Sequence, residues 1–176
     1  LDRALKSGKH TIKDVVSTSS PSIDIQISSN FERLIYDASE DSAYVSKLMT
    51  ELKNKKSFTL SDKIREYVST YFSSDTAHEN EVEAIIRNYF NEYNVTLDPH
   101  TAVGVVCGKK QSTSDDILVT LSTAHPAKFK ETVSRIISNE SFVTNKVKEL
   151  DSLEENMIIA NNNADEIKSI IDSKVA

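Results

Sequence analysis

The sequence predicts an α/β fold that is mostly helical and holds two or three strands of an incomplete sheet. Residues 117–122 form a continuous apolar run, which is typical of a strand covered on both faces. Shorter strand patterns occur at residues 12–16 and 23–27, the second with alternating isoleucines. Most other segments repeat apolar residues at helical spacing. Because a buried strand needs a neighbour on each edge, this sheet is predicted to be incomplete.

Several helices carry a recognisable start signal. A hydroxyl or amide side chain followed three residues later by a glutamate predicts an N-terminal cap, because the two side chains bond opposite backbone N–H groups. Three such pairs occur: Ser29 with Glu32, Thr76 with Glu79, and Asn163 with Glu166. The last pair opens a helix that is predicted to bury Ile167, Ile170, Ile171 and Val175.

Residues 98–108 predict a buried helix. Asp98 is a typical N-cap residue and Pro99 suits the first helical position, and the segment is then apolar on nearly all sides. Gly104 and Gly108 lie four residues apart and weaken the helix. Such glycines usually have a packing reason, so we expect another backbone to come close to this face.

Composition excludes several classes of function. The chain has 176 residues and a formal net charge of −6, with no basic block to track nucleic-acid phosphates. No apolar run approaches the length of a membrane span, so no membrane partner is expected. A single cysteine, Cys107, excludes an internal disulfide framework and suits a reducing compartment, which favours a cytoplasmic location.

The glycine content limits the chemistry of the chain. There are only three glycines, and none lies in a glycine-rich loop between a strand and a helix, where backbone N–H groups usually cradle a phosphate. The chain also begins at Leu1 inside an amphipathic pattern, which suggests a cut N-terminus. Together with the incomplete sheet, these features predict the C-terminal portion of a larger α/β enzyme.

Polar residues gather where the predicted strand 117–122 ends. Ligands bind at the carboxyl ends of strands in open α/β sheets, so Ser122, Thr123 and His125 are candidate site residues. The alternative is that the hydroxyls only cap the helix that begins at Pro126. There is no metal-ligand spacing, no Cys and His dyad and no G-x-S-x-G motif in the sequence.

Three blocks of the sequence resemble threonine synthase, a fold-type II enzyme that depends on pyridoxal 5'-phosphate. They read STSSPSIDIQISSNFERLIYD at 17–37, DPHTAVGV at 98–105 and LSTAHPAKF at 121–129. With LDRALKSGKHT at the start, they cover the first two-thirds of the chain in the family's order. The resemblance implies that residues 1–140 are the C-terminal part of the cofactor-binding catalytic domain, with a helical insertion at about 40–95. Residues 141–176 would then form a C-terminal helical tail.

The resemblance also implies a reaction and a set of site residues. Members of the family convert O-phospho-L-homoserine and water to L-threonine and phosphate, with the cofactor acting as electron sink. The family's threonine that faces the pyridine nitrogen corresponds to Thr123, with Ser122 beside it as a second cofactor-binding residue. The residues that the resemblance places near the substrate are Ser22, Asp24, Asn30, Arg33 and His100.

The departures from the family concern catalysis. The family's Schiff-base lysine and its Gly-Asn-Phe-Gly phosphate loop fall upstream of Leu1, and Lys128 lies at a helix start and does not match that lysine. No catalytic residue is therefore expected in this chain, which would need the missing N-terminal part and would be inactive alone. The alternative is a non-catalytic helical interaction module derived from such an enzyme.

Overall fold

The computed structural model describes residues 1–175. These residues form nine α-helices and one two-stranded antiparallel sheet. In chain order they are α1 (Asp2–Ser7), β1 (Lys9–Thr11), α2 (Ser29–Ser39), α3 (Ser42–Lys55), β2 (Ser57–Thr59), α4 (Asp62–Tyr71), α5 (Glu79–Tyr93), α6 (Pro99–Gln111), α7 (Lys130–Ile137), α8 (Asn145–Asp151) and α9 (Ala164–Val175). Short 3₁₀ turns occupy Pro21–Ile23 and Pro126–Phe129. None of the helices in residues 1–175 has both the length and the apolar character needed to cross a membrane.

The first core lies around the sheet. In the sheet, Lys9 pairs with Thr59 and Thr11 with Ser57, so Phe58 points inward from β2. The side chains that pack around it come from α1, α2, α3 and α4, and the buried ones include Ala4, Phe31, Ile35, Leu48, Leu52, Ile64 and Val68. Helices α2, α3 and α4 each contribute residues spaced three or four apart, which is why the amphipathic patterns of this region locate these helices well.

The second core fixes the position of α6, the helix beside the candidate functional site. It is formed by α5, α6 and α7, and its buried side chains include Val82, Ile86, Ala102, Val105 and Ile136. Val82 and Ile86 are 1% and 0% exposed, so α5 is held firmly against α6. The predicted buried character of α6 is confirmed, and the N-terminus of this helix is anchored inside the protein.

The chain divides into two compact units, Leu1–Val143 and Thr144–Ala176. Both cores belong to the first unit. In the second unit, α8 and α9 have no buried side chain among the described residues. The expectation that α9 buries its apolar stripe is wrong, because Ile167, Ile171 and Val175 are 42%, 54% and 79% exposed. A segment of this size has too little apolar surface to enclose a core of its own.

The mostly helical fold with two strands is confirmed, but the strands lie elsewhere than predicted. Instead of residues 12–16, β1 occupies Lys9–Thr11. Of the predicted residues only Ile12 extends the pairing, with its N–H donating to the Lys56 carbonyl at 2.9 Å. Its partner β2 was missed. Strand propensity alone could not place this pair, because each strand has only three residues and neither gives a clear alternating pattern.

Residues 23–27 do not form the predicted strand. Ile23, Ile25 and Ile27 are all exposed, at 49%, 54% and 62%, and no strand pairs with them in residues 1–175. A local network holds this stretch instead, because the Asp24 carboxylate accepts hydrogen bonds from both the N–H and the hydroxyl of Thr18, each at 2.7 Å. Side-chain bonds of this kind compete with a sheet ladder.

The predicted caps are only partly confirmed. Helix α2 has Ser28 as its N-cap and no side-chain cap bond, so the Ser29 and Glu32 box is wrong. The box of Thr76 and Glu79 is also wrong, since α5 begins at Glu79 with His78 as its N-cap, and Glu81 accepts the His78 N–H. Asn163 does cap α9, with Oδ1 accepting the N–H groups of Asp165 and Glu166 at 2.9 and 3.1 Å.

A buried histidine in the first core makes stability depend on pH. His10 lies against Phe31 and Phe58, and its Nε2 bonds the Gln26 carbonyl at 2.9 Å. Burial lowers the pKa of His10 from its ordinary value of 6.5. The folded protein then binds fewer protons than the unfolded chain in mildly acidic solution.

We therefore expect the thermal unfolding midpoint to be highest above the ordinary histidine pKa and to fall as the pH drops through about 6 toward the lowered folded value. The His10→Phe variant should show a shallower fall over this interval, because it removes the titrating group. The His78→Gln variant is the control, since His78 is an exposed histidine outside this core. Equal slopes for wild type and His10→Phe would contradict the assignment.

Candidate functional site

Residues 117–121 run alongside α6 without forming a strand. They pair with no strand in residues 1–175, so the predicted buried strand at 117–122 is wrong as a sheet element. Ile117, Val119 and Leu121 are 94%, 76% and 83% exposed. The alternate side chains, Leu118 and Thr120, point toward α6. Alternate side chains therefore face the helix, as in an extended chain, but this face is only partly covered, because Leu118 is still 43% exposed.

The two glycines of α6 lie against the side chains of Leu118 and Thr120. A Cβ added to Gly108 would come within 2.9 Å of the Leu118 side chain, and one added to Gly104 within 3.2 Å of Thr120. The match is geometric, because four residues of helix and two residues of extended chain both advance about 6 to 7 Å. A packing reason for these glycines is therefore present, but the groups that come close are the side chains of Leu118 and Thr120 and not another backbone.

The N-terminus of α6 is organised by the Asp98 carboxylate. Asp98 is 1% exposed, and its Oδ1 accepts the N–H groups of His100 and Thr101 at 2.9 and 3.3 Å, as an N-cap should. The second oxygen, Oδ2, accepts the Thr101 hydroxyl and the Ala124 N–H, the latter at 3.3 Å. The Thr101 Oγ1 in turn accepts the Thr123 N–H at 2.9 Å.

We call this arrangement the Asp98 clamp, meaning Asp98, Thr101 and the backbone N–H groups of Thr123 and Ala124. It ties the segment that follows residue 121 to the first turn of α6. Both side chains of the clamp are buried, with Thr101 6% exposed, so the donors and acceptors would be costly to leave unpaired.

The alternative that Ser122 or Thr123 only caps the next helix is wrong. The cap is His125, whose Nδ1 accepts the Ala127 N–H at 3.2 Å at the start of the turn Pro126–Phe129. Neither the Ser122 nor the Thr123 hydroxyl takes part in a hydrogen bond within residues 1–175. Both hydroxyls are therefore available to a ligand.

These hydroxyls open into a cleft of about 640 Å³. Ser122 and Thr123 line it together with Leu97, Val105 and Tyr89. None of the residues described as lining this cleft is a lysine. Mostly apolar walls with a few convergent polar groups are typical of a site for a small molecule.

His100 lies inside the protein beside the cleft. Its side chain is 4% exposed, and its ring centroid lies 4.8 Å from that of Phe129. Neither ring nitrogen has a hydrogen-bond partner in residues 1–175, and Nδ1 is 3.5 Å from the Asp98 carboxylate. The structure therefore uses the ring as a contact between α6 and the turn that follows Pro126.

The other predicted substrate residues lie outside this cleft. Ser22 is exposed in the turn Pro21–Ile23, and Asp24 is engaged by Thr18. Asn30 and Arg33 are hydrogen bonded to each other on α2, and Arg33 lines a separate groove between α2 and α3. The structure brings together Ser122 and Thr123, and separately Asn30 and Arg33, but it does not join the two pairs in one cavity.

Thr101 and the second oxygen of Asp98 are the functional features that the sequence did not reveal. The pattern that could have pointed to Thr101 is its position three residues after the N-cap, since a side chain there faces the capping residue. The bonds to Thr123 and Ala124 join residues 22 and 26 positions apart, so no local pattern marks them.

Comparison with known proteins gives a consistent result. Residues 101–171 match the family described as "Threonine synthase, C-terminal". Threonine synthase of Saccharomyces cerevisiae is 33% identical over 100% of this chain and 40% of its own length, and that of Eremothecium gossypii is 29% identical over 99% and 39%. A crystal structure of pyridoxal-phosphate-bound threonine synthase from Brucella melitensis superposes with a TM-score of 0.86 at 34% identity, covering 97% of this chain and 37% of that one.

The mostly helical fold with its short sheet matches part of the structure of a longer threonine synthase chain. The chain is homologous to the threonine synthases, and it corresponds to their C-terminal region. The predicted resemblance is confirmed. The chain spans about two-fifths of the length of the relatives that it matches.

The clamp predicts a large loss of stability when Asp98 is replaced. Asp98→Ala removes the acceptor of three N–H groups and one buried hydroxyl, so we expect a loss of about 3 kcal/mol in the free energy of unfolding. The matched control is Asp41→Ala, because Asp41 caps α3 through two N–H groups at an exposed position. That change should cost only about 1 kcal/mol. Denaturant titration of both variants tests this, and equal losses would refute the added role of Asp98.

Proposed function

We propose that this chain is the C-terminal part of a threonine synthase, a lyase that converts O-phospho-L-homoserine and water to L-threonine and phosphate with pyridoxal 5'-phosphate. The proposal is carried by the uncommitted Thr123 hydroxyl in the cleft. The relatives and the residue blocks support the same function. A cytoplasmic location is part of the proposal and agrees with a partly buried thiol at Cys107, whose pKa burial raises.

The residues in the cleft fit one edge of the cofactor. The cofactor, when bound, supplies the electron-withdrawing ring that loss of phosphate and addition of water require. The Thr123 hydroxyl would donate its hydrogen to the ring nitrogen, and a hydroxyl in that position leaves the nitrogen largely unprotonated. Ser122 lines the same cleft and would lie beside the ring.

In this proposal, the rest of the cofactor site is supplied by the part of the enzyme outside this chain. The described residues that line the cleft include no lysine to carry the cofactor and no glycine-rich loop to hold its phosphate. Both features, and with them the catalytic residue, are assigned to the remaining part of the enzyme. The substrate contacts proposed for Ser22, Asp24, Asn30, Arg33 and His100 would be completed by the same part.

The segment 117–121 supports the need for such a partner. Its backbone N–H and C=O groups form no hydrogen bonds within residues 1–175, and one of its faces is apolar and exposed. Unpaired extended backbone of this kind is a template for strand pairing. In the proposed enzyme, another strand would pair with each edge of this segment, and further residues would cover Ile117, Val119 and Leu121.

Thr123 is tested in the full-length protein that contains this sequence. Thr123→Val keeps the shape but removes the donor, so the ring nitrogen is left without a partner at a cost of about 1–3 kcal/mol. We expect roughly a tenfold to hundredfold loss in cofactor affinity or turnover. Thr123→Ser, which retains the hydroxyl, should lose much less, and Ser122→Ala should have a smaller effect than Thr123→Val.

The measurements are the cofactor dissociation constant, the turnover number and the melting temperature. Wild-type affinity and turnover in Thr123→Val would remove Thr123 from the site. A gene product that begins at Leu1 and has no enzyme partner would favour the non-catalytic helical module instead.

The isolated 176-residue chain is expected to have no threonine synthase activity and to form no lasting covalent adduct with pyridoxal phosphate. The reason is that the proposal assigns the carrier lysine and the phosphate loop to another part of the enzyme. The test is to mix the purified chain with pyridoxal phosphate, dialyse it and record the absorbance of bound cofactor. A stable one-to-one adduct at a single lysine, or measurable turnover, would refute the proposal.

A further inference from the structure

The two peptide groups that flank Thr123 are both fixed. The Thr123 N–H donates to Thr101 Oγ1 at 2.9 Å, and the Ala124 N–H donates to Asp98 Oδ2 at 3.3 Å. Each peptide group is planar, so holding both planes fixes the two backbone angles between them. These angles set the direction of the Cα–Cβ bond of Thr123. Only rotation about that bond remains, and it is restricted to a few staggered positions.

The Thr101 hydroxyl connects the carboxylate to the first of these planes. Its hydrogen goes to Asp98 Oδ2, so its lone pair is directed to accept the Thr123 N–H. The hydroxyl can do both only in one orientation. Because Asp98 and Thr101 are 1% and 6% exposed, water competes little for these bonds.

Capping the helix does not require this arrangement. Asp41 caps α3 with a single oxygen, Oδ1, which accepts both N–H groups. Asp98 caps α6 in the same way with its own Oδ1, and its Oδ2 is turned toward residues 123 and 124. The second oxygen therefore serves the segment beside the cleft.

We infer that Asp98 and Thr101 are positioning residues that aim the Thr123 hydroxyl at the ligand in the cleft. They act through the backbone of Thr123. The inference rests on the proposed function, in which that hydroxyl meets the ring nitrogen of the cofactor. The inference adds that the strength of the bond between the Thr123 hydroxyl and the ring nitrogen depends on the direction of the Thr123 Cα–Cβ bond.

A double-mutant cycle in the full-length enzyme tests the inference. Thr101→Val is nearly isosteric and removes the acceptor of the Thr123 N–H. We expect it to raise the cofactor dissociation constant about fivefold to tenfold and to speed hydrogen exchange of the Thr123 amide in the enzyme without cofactor. Thr101→Ser should restore both values, because it keeps the hydroxyl. In a Thr123→Val background, Thr101→Val should change the cofactor affinity less than twofold.

The outcomes separate this inference from the proposed function. If Thr101→Val weakens cofactor binding equally in the presence and absence of the Thr123 hydroxyl, the clamp does not act through Thr123 and the inference is refuted. An unchanged affinity in Thr101→Val, with a clear loss in Thr123→Val, refutes the inference and leaves the proposed function intact. No loss in either variant refutes both. If Thr101→Val does not fold, Thr101→Ala takes its place in the same cycle.

Discussion

The arrangement of the cleft depends on one buried carboxylate. Asp98 stands where α6 begins, and it satisfies donors that come from two parts of the chain. A charged group almost entirely removed from water must be fully hydrogen bonded, so its partners have little freedom to move. The first turn of the helix and the segment after residue 121 are therefore held as one piece, and the cleft wall follows from that attachment.

The packing of α6 makes this attachment possible. Two glycines on one face admit Leu118 and Thr120, and the next contact along the same line is the bond from Thr101 to Thr123. Three contacts thus follow one another along the helix and the segment, from Gly108 with Leu118 through Gly104 with Thr120 to Thr101 with Thr123. Ala102 and Val105 are buried in the second core with residues of α5 and α7, which fixes the position of the helix.

The sequence predicted the features that depend on residues close together in the chain. It did not predict the features that depend on residues far apart in the chain. The start of α6 followed from Asp98 and the proline after it, and the close approach to Gly104 and Gly108 followed from their lack of side chains. The short sheet was not predictable, because β1 and β2 become strands only by meeting each other. The exposed isoleucines near Asp24 gave a strand pattern that a local hydrogen-bond network overrides. Likewise, Thr123 was indicated by its place after the apolar run and by the family resemblance, whereas its hydrogen bonds to distant residues appear only in three dimensions.

The register between α6 and residues 117–121 also bears on the order of folding. The helix and the segment are joined by a short turn in which Asp116 accepts the N–H and the hydroxyl of Thr113. Closing so short a loop costs little chain entropy, whereas joining β1 to β2 must bring Thr11 to Ser57 across the whole of α2 and α3. Contacts of low sequence separation form fastest. The wall of the cleft is thus encoded in one contiguous stretch of chain, and we expect it to assemble before the sheet that lies far from it in sequence.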